Sequence, residues 1–321
     1  MSTNALVFLA NEQYAPYVKQ MVYSARSHGC WSEDIVLLAW DLADASWFER
    51  RGVFVIPVGA DDFQFGDLPS SSAVYFAKII LFHPKFSRWD KLIYLDVDMI
   101  IRKDIRHLLT YENFAAADDC FRYPVIHQMA PRNSDWSQAA INGIMTSREL
   151  WAVSFNSGMM VIPKKMLSQE LFADLCRQTA AYWRECAYYD QGVLNMVLNS
   201  QRDRVPYVYN DYYFSEHFNR RGLLRRLSDR HAVILHIIHP TKPWDPRNPY
   251  HAEWSARMNK SEATETYQVD GVEPSRWGMM LVDFINRWNI AGVYFWGWWL
   301  DRYRGARWFF LRFSKASSRG K

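Results

Sequence analysis

No run in the 321 residues approaches the ~18 consecutive apolar side chains that a membrane-spanning helix requires. The opening stretch, MSTNALVFLANEQY, has no basic region leading into a long apolar one. It therefore reads as the start of a first core strand and not as a secretory signal, and we expect a cytoplasmic protein. Cysteine is scarce. Cys30, Cys120, Cys176 and Cys186 are scattered with no CxxC pair, so they read as reduced core thiols. Charge of one sign is also lacking: a formal net charge of +4 is too mild to argue for a nucleic-acid partner. No internal repeat or low-complexity tract is present.

What is abundant is apolar and aromatic. About half of the chain is hydrophobic, and it carries 15 Trp, 18 Tyr and 19 Phe, enough for a large α/β domain with an appendage. Short continuous apolar runs, the pattern of strands buried on both faces, occur at Ala5–Ala10, Ile35–Ala39, Val53–Val58, Leu92–Leu95, Phe114–Ala117, Phe155–Ile162 and Ala232–His236. Helical stretches intervene: one opened by Pro16 and running to Arg26, one over Val74–Phe82 stopped by Pro84, and one over Lys165–Arg184. The alternation predicts a mostly parallel sheet with helices on both faces. Residues 245–273 are polar and proline-containing and read as a loop or linker. We therefore expect a catalytic domain over 1–245, a linker over 246–276 and an amphipathic basic segment over 277–321.

The sharpest chemical signal is KLIYLDVD, residues 91–98. An apolar strand ends in Asp96-Val97-Asp98. Side chains two apart on a strand share a face, so both carboxylates are expected to point into the crevice beyond the strand's carboxyl end, where open α/β sheets bind ligands. Two such carboxylates suit Mg²⁺ or Mn²⁺. A second signal is AVILHIIHPTKPW, residues 232–244. Here His236 is expected at a strand end, where an imidazole can complete a carboxylate metal site, and Lys242 can neutralise a diphosphate. Either signal alone has a plainer reading, as solvated turn acids or as a core histidine beside a surface lysine. Gly158 and Gly192 read as close-packing glycines.

Taken in order, Leu9-Ala10-Asn11 with Tyr14, the helix bearing Lys78, YLDVDMI, FNSGMMVI, Asp190-Gln191-Gly192-Val193-Leu194-Asn195 and HIIHPTKPW resemble glycosyltransferase family 8 across residues 5–245. That family contains glycogenin and bacterial lipopolysaccharide hexosyltransferases. The resemblance implies a GT-A fold, a UDP-sugar donor, Mn²⁺ and retention of anomeric configuration. By residue match it implies that Asp96, Asp98 and His236 ligate the metal and that Leu9, Asn11 and Tyr14 border the uridine. It further implies that Lys78, Val97 and Lys242 contact the donor, that Asn156 and Ser157 line the sugar side, and that Asp190 and Gln191 sit at the reacting sugar. One departure is His239, which stands where the family's HxxGxxKPW pattern has glycine.

The segment from Trp277 onward is rich in Trp and then in arginine, the pattern of a reversible anchor on an anionic membrane surface. Together these features predict a hexosyltransferase acting on an envelope glycan or glycolipid at the cytoplasmic membrane face. The alternatives are a self-glucosylating primer and an inactive sugar-nucleotide-binding protein.

Overall fold

The computed structural model describes residues 3–119, 124–129, 152–214, 229–239 and 241–284; Cys120 and the basic part of the carboxyl-terminal segment lie outside them. Among these residues ten strands form two sheets. β1 (Asn4–Asn11), β2 (Asp34–Trp40), β3 (Val53–Val58), β4 (Lys91–Leu95), β6 (Ala115–Asp118), β7 (Phe155–Pro163) and β8 (Asp203–Val205) form the larger, in the order β3-β2-β1-β4-β7-β6-β8. β5 (Met99–Ile101), β9 (Asp211–Phe214) and β10 (Ile234–His239) form the smaller, in the order β5-β10-β9.

The large sheet is mostly parallel, as its apolar runs predict. β3, β2, β1 and β4 pair in parallel, β7 is antiparallel to both of its neighbours, and β8 returns parallel to β6. Alternating side chains feed two cores. Ala5, Val7, Val36, Leu38, Leu92 and Tyr94 pack on one face, while Leu6, Phe8, Ile35, Leu37, Ile93 and Leu95 pack on the other. The first core lies under the 3-10 helix Val74–Phe82 and helices α2 (Gln169–Tyr182) and α3 (Asp190–Leu198). The second lies under α1 (Ala15–Ser27).

Three expectations need correction. The Val74–Phe82 segment is helical but wound as a 3-10 helix, whose three residues per turn bring Tyr75 and Lys78 into one row. His236 is not at a strand end: it sits inside β10, opposite Met99 of β5 and Tyr212 of β9, in the smaller sheet. The polar stretch after Trp244 is not merely a linker, since it carries helix α4 (His251–Ala263). That helix docks with few apolar residues. Trp254 joins Ile100, Leu235 and Ile237 in a small third core. Arg102 from just after β5 reaches Glu253 at 2.5 and 3.0 Å, and Arg257 donates to the Ile101 carbonyl.

Candidate functional site

The chain leaves the large sheet after Leu95 and enters the small one at Met99. Asp96-Val97-Asp98 is the turn between them. The two carboxylates therefore converge because the backbone turns, not because of strand pleat as the sequence predicts. Val97 packs its side chain on the α1-side core. From the facing strand of the small sheet comes His236, and one ligand atom from each of Asp96, Asp98 and His236 lies within 4.8 Å of the others. β7 supplies the wall. A Cβ on Gly158 would stand 2.5 Å from His236 Cε1 and 2.9 Å from Asp96 Oδ2, so its packing role is exercised against the site itself. Gly192 packs on Cys186 and the Gln128 carbonyl.

Two ammonium groups hold the carboxylates. Lys242 Nζ lies 2.5 Å from Asp98 Oδ2. Lys78 Nζ lies 3.0 Å from Asp96 Oδ1 and 3.6 Å from Asp190 Oδ2. Tyr94, buried beneath, donates its hydroxyl to Asp96 Oδ1 at 2.7 Å. Burial by itself pushes the Asp98 carboxyl upward, but His236 and Lys242 outweigh it and hold the group well below the usual carboxylate range. At Asp190 burial wins. Lys78 opposes it and Asp96 reinforces it, and the carboxyl rises to about 6. Asp190 Oδ2 is buried and makes no hydrogen bond among the described residues. Lys78 is itself raised: burial lowers it, and the facing Asp190 and Asp96 more than compensate.

The remaining predicted residues divide into two groups. Asn156 and Ser157, the polar opening of β7, are buried beside the Asp96, Asp98 and His236 side chains. Gln191 is buried with them, and its Oε1 accepts from Asn156 Nδ2 at 2.8 Å and from the Ser157 N–H at 3.0 Å. Leu9, Asn11 and Tyr14 collect at the carboxyl end of β1. The Asn11 side chain accepts the Tyr14 N–H at 3.1 Å. Tyr14 meets Trp244 edge-on at 6.0 Å, and Tyr17 stacks on Trp244 at 4.0 Å, which brings the amino-terminal group to the loop that carries Lys242. At His239 the β10 ladder is irregular, with the register shifting between Ile237 and His239.

Several residues at the site escape the sequence reading. Asn210, Gln128 and Asp119 hydrogen-bond behind it. Tyr75, half-exposed, stacks on Tyr189 at 4.5 Å, and Tyr189 holds a positive φ of 52° immediately before Asp190, the kind of strained backbone that collects at functional sites. Only Asp119 carried a local signal, as a carboxylate just beyond an apolar strand.

The donor set fits a divalent cation. Two carboxylates and an imidazole suit Mg²⁺ or Mn²⁺. His236 Nε2 faces Asp98 Oδ1 at 3.2 Å, which calls for a cation or a proton between them.

Comparison with known proteins bears on the same residues. A family model described as glycosyl transferase family 8 matches residues 60–247, more than half of the chain and every predicted site residue from Lys78 to Lys242. Glycosyltransferase GlyE of Streptococcus pneumoniae serotype 4 (strain ATCC BAA-334 / TIGR4) is 25% identical over 262 residues, covering 75% of this chain and 57% of that protein. Protein R707 of Acanthamoeba polyphaga mimivirus is 24% identical over 179 residues, covering 55% of this chain and 56% of that protein. The chain thus spans little more than half the length of these curated relatives. Among solved structures, galactosyltransferase LgtC in complex with donor and acceptor sugar analogues superposes with a TM-score of 0.58 at 18% identity, covering 85% of this chain and 98% of that one. At that identity the likeness shows the fold, and the fold is the expected GT-A arrangement.

Proposed function

The chain belongs to glycosyl transferase family 8, and from that premise we propose that it transfers a hexose from a UDP-sugar to a glycan or glycolipid acceptor with retention of anomeric configuration. The observation that carries this reading is the convergence of Asp96, Asp98 and His236 with Lys78 and Lys242 against them. Three carboxylates, counting Asp190, face two ammonium groups, which suits a site that must accept a cation and a diphosphate together.

In this reading Asp96, Asp98 and His236 would hold Mn²⁺, with Mg²⁺ as a possible substitute, and the ion would supply Lewis-acid neutralisation of the UDP leaving group. Lys242 is placed to turn from Asp98 to the diphosphate and stabilise charge that develops as the sugar–phosphate bond breaks. Lys78 acts from the other side, between Asp96 and Asp190. Leu9, Asn11 and Tyr14 border the base, and the backbone of Val97 lies between the two carboxylates.

Asp190 and Gln191 are both candidates for the reacting sugar, and their surroundings separate them. Gln191 has its oxygen taken by Asn156 and Ser157 and its amide nitrogen directed at Gln128. Asp190 keeps an oxygen without a hydrogen bond among the described residues, 3.6 Å from Lys78 Nζ. Asp190 is therefore the group available to stabilise an oxocarbenium-like centre, while Gln191 braces the wall that carries Asn156 and Ser157.

For the acceptor, the stacked Tyr75 and Tyr189 offer a flat face of the kind that suits sugar rings. We read the acceptor as lipopolysaccharide or another envelope glycan, reached from the cytoplasmic face. Residues 276–284 are helical and expose Trp277, Met280 and Phe284. This supports peripheral attachment through the carboxyl-terminal segment, most of which lies outside the described residues. No described helix is long and apolar enough to cross a membrane.

The test is a screen of UDP-sugars for Mn²⁺-dependent release of UDP, with and without membrane glycolipid. Release from one UDP-hexose that stops in EDTA is the expected result; release that is indifferent to EDTA would overturn the reading.

A further inference from the structure

Behind His236 runs a line of amide side chains whose orientation can be worked out donor by donor. The Gly158 N–H donates to Asn156 Oδ1 at 2.9 Å. A backbone N–H can only donate, so the atom it meets must be the oxygen of that amide. Asn156 Nδ2 therefore faces Gln191, and it does so at 2.8 Å from Gln191 Oε1. A second backbone donor, the Ser157 N–H, meets the same Gln191 oxygen at 3.0 Å and fixes that amide independently. Gln191 Nε2 then donates to Gln128 Oε1 at 2.8 Å, and Gln128 Nε2 donates to Asp119 Oδ2 at 2.7 Å.

The other end of the line is equally constrained. Asn210 Nδ2 lies 3.2 Å from Asn156 Oδ1, which is already established as an acceptor. Asn210 Oδ1 is therefore the atom that stands 2.8 Å from His236 Nδ1. If Asn210 were turned over, two carbonyl oxygens would oppose each other at the Asn156 contact. With the line as it stands, His236 Nδ1 must carry a proton. Nε2 is then the ring atom left to face Asp98 Oδ1, 3.2 Å away, with its lone pair available to a cation held between them.

We infer that Asn210 is a positioning residue: by accepting from His236 Nδ1 it locks the imidazole in the tautomer whose Nε2 can ligate a divalent cation beside Asp96 and Asp98. The inference rests on the cation-site reading above and deepens it. The line through Asn156, Gln191 and Gln128 to Asp119 gives Asn210 one orientation in place of two, because two backbone N–H groups and one carboxylate set its direction. Every amide in it is buried, where a reversed member would leave donors or acceptors unsatisfied. Asn210 itself lies on no recognised motif. It comes at the end of a short 3-10 turn, Tyr207–Asn210, that leads into β9 beside His236. Partners of this kind orient metal-bound histidines and raise their basicity, and their loss lowers metal affinity by about 10- to 100-fold.

The experiment uses the full chain without donor sugar. Mn²⁺ is titrated into wild-type protein and Asn210→Leu by calorimetry, with free Mn²⁺ followed by electron paramagnetic resonance. We expect binding about 10- to 100-fold weaker in Asn210→Leu. In parallel, ¹⁵N-histidine-labelled wild-type protein, metal-free, is examined by two-bond ¹H–¹⁵N correlation. The His236 signals are assigned by their loss in His236→Gln, and we expect a proton on Nδ1, with Nε2 free of a proton only when the cation is bound. Equal Mn²⁺ affinity in a folded Asn210→Leu, or an Nε2–H tautomer in the wild type, would overturn the inference while leaving the cation site standing. Wild-type protein that binds no Mn²⁺ would overturn the cation-site reading and this inference with it. The tautomer measurement needs no Asn210 variant, so an Asn210→Leu chain that fails to fold does not shield the inference.

Discussion

β1 and β7 flank the same strand, β4, and each is almost wholly buried, yet they are built from opposite materials. β1 is Asn-Ala-Leu-Val-Phe-Leu-Ala-Asn, apolar except at its ends. β7 begins Phe-Asn-Ser-Gly and becomes apolar only from Met159 onward. Burying the amide of Asn156 is unfavourable unless it is hydrogen-bonded, and it is bonded on both sides, to Gln191 and to Asn210. A sheet that needed only stability could carry valine there. The difference teaches that β1 contributes apolar burial whereas the first residues of β7 contribute polar groups held at fixed places.

The contrast can be broken most severely at the site. Asp98→Asn should reduce turnover to background while the thermal unfolding of the metal-free protein remains cooperative, because the carboxylate's partners are Lys242 and His236 and not the core. Retained turnover would remove Asp98 from the chemistry. The reciprocal change is Leu6→Ala in β1, a side chain with no exposure. It should lower stability by about 2–5 kcal/mol in urea titrations and leave Mn²⁺ affinity of the folded fraction unchanged. A loss of Mn²⁺ affinity as large as the loss of stability would abolish the distinction between the two strands.

A smaller effect sharpens it through pH. The Asp190 carboxyl is raised from 3.8 to about 6, mainly by burial, so the folded state holds this proton more tightly than the unfolded chain does. Its contribution to stability is complete below about pH 4 and is lost as pH rises to about 6, a fall of up to about 3 kcal/mol in the metal-free protein. Asp190→Asn should remove that fall, seen as a smaller difference between denaturation midpoints at pH 4 and pH 7. An identical pH dependence in variant and wild type would mean the carboxyl is not perturbed. The smallest expected effect is that of Lys242→Ala, which removes one charge-assisted contact and should weaken UDP-sugar use by about 1.5–3 kcal/mol. Unchanged donor KM and kcat would exclude the residue from donor binding.

How much of this the sequence discloses follows the same division. The apolar strands announce themselves: β3 matches its run residue for residue, and β1, β2 and β4 are off by one residue at one or both ends. Three things stay hidden. Pairing direction leaves no mark on an apolar run, so the antiparallel β7 is invisible within it. Helix α4 has only Trp254 and Ser261 buried and is held to α1 and β5 in good part by polar side chains, Arg102, Arg257 and the Lys19–Glu262 pair, so it shows little apolar period and reads as linker. Of the small sheet only β10 shows, in the Ala232–His236 run; β5 and β9, three and four residues long, lie below what patterning resolves. At the site, Asp96, Asp98, His236 and Lys242 were legible because each belongs to a motif, and their family likeness tied the motifs together. Asn210 and Gln128 were not. Their meaning lies in amides contributed by segments tens of residues apart, and no local spacing encodes that.

The turn that carries Asp96 and Asp98 is also the strap between the two sheets, and His236 answers it from the far side. An ion held there would act as a rivet joining segments 138 positions apart along the chain, and it would tie the small sheet to the large one at a second point, beside the peptide that already links them. Slow amide exchange in β5 and β10 should then depend on Mn²⁺, while exchange in β1 and β2 should not, so that loading the site tightens one part of the protein and leaves the rest as it was.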